Sequence, residues 1–405
     1  MKCRICDNDL VKFLSLGSMP LANSFLSKDD LSKEEKRFPL ETCFCGKCKL
    51  VQLSHVVDPK VMFKNYIYVS STTKTFQLHF KNMAEEITKE FGLDKNSLVV
   101  DIGSNDGVLL RPFKESGIKT IGVEPAINVA KIAEENGIET INDFFGSNAV
   151  NRIIEKKGYV DVITATNVFA HISDIDDVAE NVKKLLKKDG IFVIEIQYLM
   201  DTIEKMTFDN IYHEHLYYYT LISLNNFFKK HGMEVFNAKR VDSHGGSLRI
   251  FIKRKGDKHE VKATVNELLN YEKRKGVETI ELYKNFADKV YSVRDKLVSY
   301  IKNIKKQGKK IAAYGAPAKG NTLLNFCNIG TNYLDYIVED NELKIGLYTP
   351  GTHIPVLNSK ALDDKMPDYI LILAWNFAEE ILEKTKRYSE QGVKFIIPLP
   401  EPRIV

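Results

Sequence analysis

The sequence predicts an α/β fold made of a small metal-stapled N-terminal unit and two parallel-sheet units. Three observations carry this. Five of the six cysteines, Cys3, Cys6, Cys43, Cys45 and Cys48, crowd the N-terminus, leaving only Cys327 elsewhere. Short apolar segments alternate with helical ones between residues 98 and 195, and again between 310 and 397. In each block the first strand runs into a glycine-bearing turn, at Gly103–Gly107 and at Gly315–Gly320. The 405 residues allow two or three domains, and the pattern places them at 1–70, 71–255 and 256–405.

Composition narrows the function class. A hydrophobic fraction of 44% and a charged fraction of 28% are ordinary for a globular chain and argue against disorder. With 58 Lys+Arg against 54 Asp+Glu the net charge is +4, which gives no global reason to expect nucleic acid or an anionic membrane as partner. No apolar run resembles a signal peptide or reaches the ~18 residues of a membrane span. Reduced or metal-bound thiols fit a cytoplasmic protein.

Residues 1–70 are short, broken segments that bury little core, so a metal staple belongs there. Cys3-x-x-Cys6 and Cys45-x-x-Cys48 each offer two thiolates from one tight turn, and together they make a tetrahedral zinc site. Four protein ligands leave no open position, so the zinc is structural. Cys43 is a fifth candidate that the spacing leaves open. A zinc ribbon can also serve a non-enzymatic nucleic-acid adaptor, which is a rival reading.

From about residue 72, Phe76, Phe80, Met83, Ala84 and Ile87 recur at helical spacing. Buried strands follow at Leu98–Ile102, Thr120–Glu124, Asp161–Ala165 and Ile191–Glu195, with helices between them. Gly137 ends one helix, and Lys187-Lys188-Asp189-Gly190 reads as the stop of another. The loop Asp101-Ile102-Gly103-Ser104-Asn105-Asp106-Gly107 lacks the G-x-G-x-x-G spacing of dinucleotide sites. Glu124, at the end of the next strand, can accept from both ribose hydroxyls. A glycine loop with a ribose acid is common to S-adenosylmethionine sites, which makes Asp101, Gly103, Asn105, Asp106, Gly107 and Glu124 cofactor candidates. Asn167 and His171 follow the third strand, in the crevice where open parallel sheets bind ligands.

Tyr212-His213-Glu214-His215 is the densest titratable cluster, and Tyr217, Tyr218 and Tyr219 follow it. The order is not the H-E-x-x-H of zinc hydrolases. Histidines at i and i+2 diverge, so both need not act, but either can serve as acid or base near neutral pH. His244-Gly245-Gly246-Ser247-Leu248-Arg249 adds a histidine and a cation.

Residues 256–310 are Lys/Glu-rich and amphipathic and read as one or two long helices, a spacer with a solvated face. The second alternating block has strands at 310–316, 333–340, 369–375 and 394–398. Gly315, Ala316 and Gly320 permit close backbone approach to a nucleotide, and Lys319 can neutralise a pyrophosphate. Asp340 and Lys344 follow the next strand as sugar or base contacts.

Read together, the four-cysteine N-terminus, Pro20-Leu21-Ala22-Asn23, Val51-Gln52-Leu53, Tyr66-x-Tyr68-x-Ser70-Ser71, Gly103–Gly107 and Gly122-Val123-Glu124-Pro125 form one ordered set. Asn167–His171, Tyr212–His215, His244–Arg249, Tyr314-Gly315-Ala316-x-x-Lys319-Gly320 and Ala374-Trp375-Asn376 continue it. This order resembles the nucleotide-sugar C-methyltransferases, including the C-3′-methyltransferases of antibiotic deoxysugar pathways. The resemblance implies a zinc-binding N-terminal domain, a central Rossmann-like S-adenosylmethionine domain and a C-terminal Rossmann-like domain. It implies S-adenosylmethionine and a structural Zn²⁺ as cofactors. The implied partner is a dTDP-linked 4-keto-deoxysugar, methylated at the carbon beside the ketone. His215 would be the base, Tyr212 and His171 would polarise the enolate oxygen, and Glu214 would hold the sugar or orient a partner. Tyr68, His244 and Arg249 would join Gly315, Ala316, Lys319, Gly320, Asp340 and Lys344 as substrate contacts. An O- or N-methyltransferase on a nucleotide sugar would share the glycine loop and Glu124 without the carbon-acid chemistry.

Overall fold

A computed structural model describes residues 1–58, 62, 74–243 and 245–405. Among these residues the strands form three sheets. The first is antiparallel: β1 (Leu10–Met19), β2 (Phe38–Cys45), β3 (Val51–Leu53) and, at the far edge, β9 (Tyr217–Tyr218). The last strand comes from much later in the chain, with Val51 opposite Tyr218 and Gln52 opposite Tyr217. Tyr217 and Tyr219 are 1% exposed, so the tyrosine run is core that stitches the zinc unit to the next one. The Arg4 guanidinium reinforces the seam, donating to the carbonyls of Leu53 at 2.8 Å and Leu216 at 3.1 Å.

The second sheet holds β4 (Leu98–Ile102), β5 (Lys119–Val123), β6 (Thr140–Ile141), β7 (Val160–Thr166), β8 (Leu186–Gln197), β10 (Met233–Val241) and β11 (Ser247–Arg254). Their order is β10-β11-β8-β7-β4-β5-β6. The β4 to β8 pairs are parallel, and β11 runs antiparallel to β8 and β10. Every residue of β4 is buried, as its unbroken apolar run demands of a central strand covered on both faces. The helix Lys74–Phe91 lays Phe80, Met83, Ala84 and Ile87 inward. One sequence expectation fails here: Lys187–Gly190 is not a helix stop but the start of β8. Val160 pairs with Leu186 and Val162 with Ile191, so the intervening residues bulge out of the ladder.

The third sheet is β12 (Ile311–Tyr314), β13 (Ile337–Glu339), β14 (Val356–Asn358), β15 (Tyr369–Ile372), β16 (Lys394–Ile397) and β17 (Arg403–Ile404), in the order β14-β13-β12-β15-β16-β17. The helices Ala263–Arg274 and Ile280–Lys306 precede it. They are not the solvated spacer that their charge suggests. Tyr283, Phe286, Ala287, Val290, Leu297, Ile301 and Ile304 are buried. Glu272 is wholly buried and accepts from the amides of Leu221 at 2.6 Å and Ile222 at 2.8 Å and from the Tyr198 hydroxyl at 2.8 Å. A carboxylate at a helix N-terminus is favoured by the helix dipole, so this helix locks the second unit as well as linking it.

A strap, residues 20–37, leaves the first sheet and lies across the third unit. Leu26 and Tyr348 exchange backbone hydrogen bonds of 2.9 and 2.8 Å. The Gly351 amide donates to the Glu35 carboxylate at 3.0 Å. The three units are thus interlocked, and their shared junction lies at residues 208–216.

Candidate active site

The metal site is built from two matching knuckles. In each C-x-x-C turn the residue after the second cysteine is left-handed, Asp7 at φ +54° and Lys49 at φ +67°. Its amide donates to the carbonyl of the first cysteine, at 3.0 Å for Asp7 to Cys3 and 2.9 Å for Lys49 to Cys45. The Sγ atoms of Cys3 and Cys48 are 3.6 Å apart, those of Cys6 and Cys45 3.4 Å, and all four lie within 4.8 Å of one another. A tetrahedron with Zn–S bonds of about 2.3 Å needs S···S separations near 3.8 Å, so the four thiols fit zinc. Cys43 stands outside that group. It is wholly buried in β2, and burial pushes its thiol up to about 11.

The first glycine loop sits at the carboxyl ends of β4 and β5. Gly103 has φ +65°, and a Cβ there would come 2.6 Å from Val168 Cγ2, so only glycine lets the loop close on β7. The Asn105 amide donates to the Glu124 carboxylate at 2.9 Å and the Ala126 amide at 2.8 Å. Burial raises the Glu124 carboxyl, and these two amides oppose the rise. Asp101 lies beneath the loop and accepts from the Thr164 hydroxyl at 2.6 Å, with burial pushing its carboxyl up to about 7. The Ser104 hydroxyl and both Asp106 carboxylate oxygens are buried without a hydrogen-bond partner among the described residues. Such acceptors complement a ligand with hydroxyl and ammonium donors, as S-adenosylmethionine has. Asn167, left-handed at φ +55°, follows β7 on the same edge.

The histidine cluster lies beside the loop that follows β7, where the Leu216 amide donates to the Ala170 carbonyl at 2.8 Å. His215 Nδ1 is 2.7 Å from the Asn210 carbonyl oxygen. A carbonyl only accepts, so Nδ1 carries a proton in this bond, and in the neutral imidazole the lone pair is the one on Nε2. The His215 ring centre is 4.1 Å from that of Tyr212 and 4.9 Å from that of His171. Burial, then the nearby His215, hold His171 well below the usual imidazole range, so it is neutral. Glu214 is buried, which pushes its carboxyl up to about 7, while Asn23 Nδ2 donates to it at 2.6 Å. His213 points away: its Nε2 donates to the Phe38 carbonyl at 3.2 Å, and burial lowers it to about 4.

The third sheet repeats the arrangement of the second. Gly315 follows β12 at φ +83°, where a Cβ would come 2.9 Å from that of Ala374 after β15. The Ala316 amide donates to the Glu339 carboxylate at 2.7 Å, as Asn105 does to Glu124. Glu339 escaped the sequence reading, although it ends β13 just as Glu124 follows β5. Its neighbour Asp340 is exposed and accepts from Lys384 at 2.8 Å and the Tyr314 hydroxyl at 3.0 Å. Lys344 donates to the Ala316 carbonyl at 2.9 Å. Lys319 donates to Asn376 at 2.5 Å with its ammonium 4.5 Å from the Trp375 ring centre. Trp375 donates to the buried Asp209 at 2.6 Å, joining this loop to the turn that bears Asn210. Gly320 packs against Leu373 beneath the helix start.

Arg249 departs from expectation. It is 3% exposed, and its guanidinium bonds Glu195 at 2.8 Å and Glu86 at 3.0 Å, so protein carboxylates occupy it. Burial pushes Glu195 up, but His79 and Arg249 outweigh this and hold it at about 2. Tyr68 and His244 lie outside the described residues.

Comparison with known proteins gives three family matches in order: a zinc binding domain at residues 3–63, a methyltransferase domain at 76–237 and a C-methyltransferase C-terminal domain at 242–400. C-methyltransferase NovU of Streptomyces niveus is 36% identical over the whole chain and 96% of its own length. A ubiquinone biosynthesis O-methyltransferase of Pelagibacter ubique is 30% identical over 29% of this chain and 51% of its own. Among solved structures, magnesium protoporphyrin IX methyltransferase of Synechocystis with bound SAM overlaps 50% of this chain and all of that one, at 11% identity and a TM-score of 0.37. No helix among the described residues is long and apolar enough to cross a membrane. The chain belongs to the S-adenosylmethionine-dependent C-methyltransferases with an N-terminal zinc-binding domain.

Proposed function

We propose that the acceptor is a nucleotide-linked 4-keto-deoxysugar, with dTDP as the nucleotide, methylated at the carbon beside the ketone. The observation that carries this is the orientation of His215: its Nδ1–H donates to the Asn210 carbonyl, so that in the neutral ring Nε2 is the basic nitrogen, with Tyr212 and neutral His171 beside the imidazole. A ketone acidifies the neighbouring C–H, so a positioned imidazole suffices to remove that proton. Tyr212 and the neutral His171 would donate hydrogen bonds to the enolate oxygen as charge develops. Glu214 accepts a sugar hydroxyl. S-adenosylmethionine, when bound, supplies an electrophilic methyl group; Glu124, Asn105, Asp106 and the Gly103–Gly107 loop would hold it. Glu339, the Gly315–Ala316 turn, Lys319 and Lys344 would receive the nucleotide. Tyr68 and His244 join as further substrate contacts, and cytoplasmic work fits the thiolate metal site.

The test is incubation with S-adenosylmethionine and a panel of dTDP-4-keto-deoxysugars, with the product solved by NMR. Deuterium loss at the carbon beside the ketone must precede or accompany methylation. Methylation of oxygen or nitrogen would refute the reading.

A further inference from the structure

The motif Pro20-Leu21-Ala22-Asn23 lies on the strap, far along the chain from the histidine cluster, yet its last residue reaches Glu214. The strap that carries it is tightly seated. The Ala22 carbonyl accepts from Asn321 Nδ2 at 2.7 Å, on the helix Ala318–Cys327 that also bears Lys319. Across from it, a Cβ on Gly351 would come 2.9 Å from Pro20 Cδ and 2.2 Å from Asn325 Oδ1, so no slack remains between the strap and the third unit. Glu35 fastens the far end through the Gly351 amide and His353. With the backbone held on both sides, the Asn23 amide nitrogen points at Glu214 Oε1, 2.6 Å away. An amide nitrogen only donates, so this bond fixes which way the carboxylate turns.

We infer that Asn23, carried on the zinc-bearing unit, is a positioning residue for methyl transfer: it orients the Glu214 carboxylate next to His215 and so sets how the acceptor sugar is held. The inference rests on the proposed role of Glu214. It gives the N-terminal unit a task in turnover besides holding metal. Burial pushes the Glu214 carboxyl up to about 7, and the Asn23 donor acts against that rise, keeping an acceptor available for a hydroxyl.

The experiment compares wild type, Asn23→Ala, Glu214→Gln and the double variant on the dTDP-4-keto-deoxysugar that wild type methylates. Asn23→Ala is expected to lower kcat by about ten- to a hundredfold, to leave the KM for S-adenosylmethionine and the affinity for adenosylhomocysteine unchanged, and to add nothing to Glu214→Gln. A loss of packing alone would instead lower the melting temperature and ligand affinity with kcat retained in the folded fraction. If Asn23→Ala does not fold, Asn23→Leu, of similar size and without a polar donor, must show the same loss of kcat. Wild-type kcat in Asn23→Ala or Asn23→Leu with a slow Glu214→Gln overturns the inference and leaves the reading of Glu214 standing, as does additivity in the double variant. Wild-type kcat in Glu214→Gln overturns that reading and the inference with it, and so does the absence of methylation across the panel.

Discussion

His215 Nδ1 lies 2.7 Å from the carbonyl oxygen of Asn210, in the turn that begins at Phe208. That one bond orients the imidazole proposed as the base, at the meeting point of three units. The same turn supplies Asp209, which accepts from Trp375 of the third unit at 2.6 Å.

Replacing His215 tests the base directly. His215→Ala should lower kcat by about 10²- to 10⁴-fold, the range for loss of a general base. Adenosylhomocysteine should bind it as it binds wild type. Tyr212→Phe should cost less, since a second donor, His171, remains. Steady-state kinetics with calorimetry separates the two effects.

The two glycine loops should fail separately. Gly315→Val forces a branched side chain into φ +83° against Ala374, where a Cβ already comes within 2.9 Å, at a strain of roughly 1–3 kcal/mol. It should weaken dTDP binding and spare adenosylhomocysteine. Glu124→Ala should do the reverse, because its carboxylate holds the Asn105 and Ala126 amides. Isothermal titration with each ligand alone reads both.

Zinc removal should reach the active site. Chelation should release about one equivalent of metal per chain and unfold the first sheet, since metal-site binding energy is folding energy. Asn23 belongs to that unit and β9 to the segment after His215, so methyl transfer should fall further than adenosylhomocysteine affinity. Cys45→Ser should behave alike, whereas Cys43→Ser should keep its metal, because Cys43 stands apart from the four-thiol group. Metal analysis and differential scanning calorimetry check this.

Asp101 should make stability depend on pH. Its carboxyl is raised by burial to about 7 from an ordinary 3.8. A raised carboxyl favours the folded state below the ordinary value, and that contribution is lost as pH climbs toward the raised one. The melting temperature of Asp101→Asn relative to wild type should therefore rise between about pH 4 and about 7 and level off above that, since the amide never ionises. A constant difference across that range would contradict the assignment.

Much of this architecture was legible in the sequence because its signals are local. Two C-x-x-C turns, the buried run Leu98–Ile102 and the spacing of Gly103 and Gly107 speak through adjacent residues. What stayed hidden depends on partners far along the chain. Arg249 looked like a free cation, but Glu86 and Glu195 claim it across the fold. The charged helices of 263–306 looked solvated, yet Glu272 caps a helix in the second unit. Lys187–Gly190 had the chemistry of a stop, and pairing of Leu186 with Val160 drew it into a strand. Glu339 was missed beside the more conspicuous Asp340. Only the repeated geometry, a loop amide bonded to the acid at the end of the neighbouring strand, distinguishes it.

Carbon methylation beside a ketone, with His215 as the proposed base, leaves a signature in the product. The most direct measurement is the NMR spectrum of the product formed from methyl-¹³C S-adenosylmethionine and a dTDP-4-keto-deoxysugar deuterated beside the ketone. A base at His215 requires a labelled methyl bonded to that ring carbon, the deuterium gone, and no such product from His215→Ala. A labelled methyl on oxygen or nitrogen, or a His215→Ala enzyme that makes the same product at the wild-type rate, would contradict it.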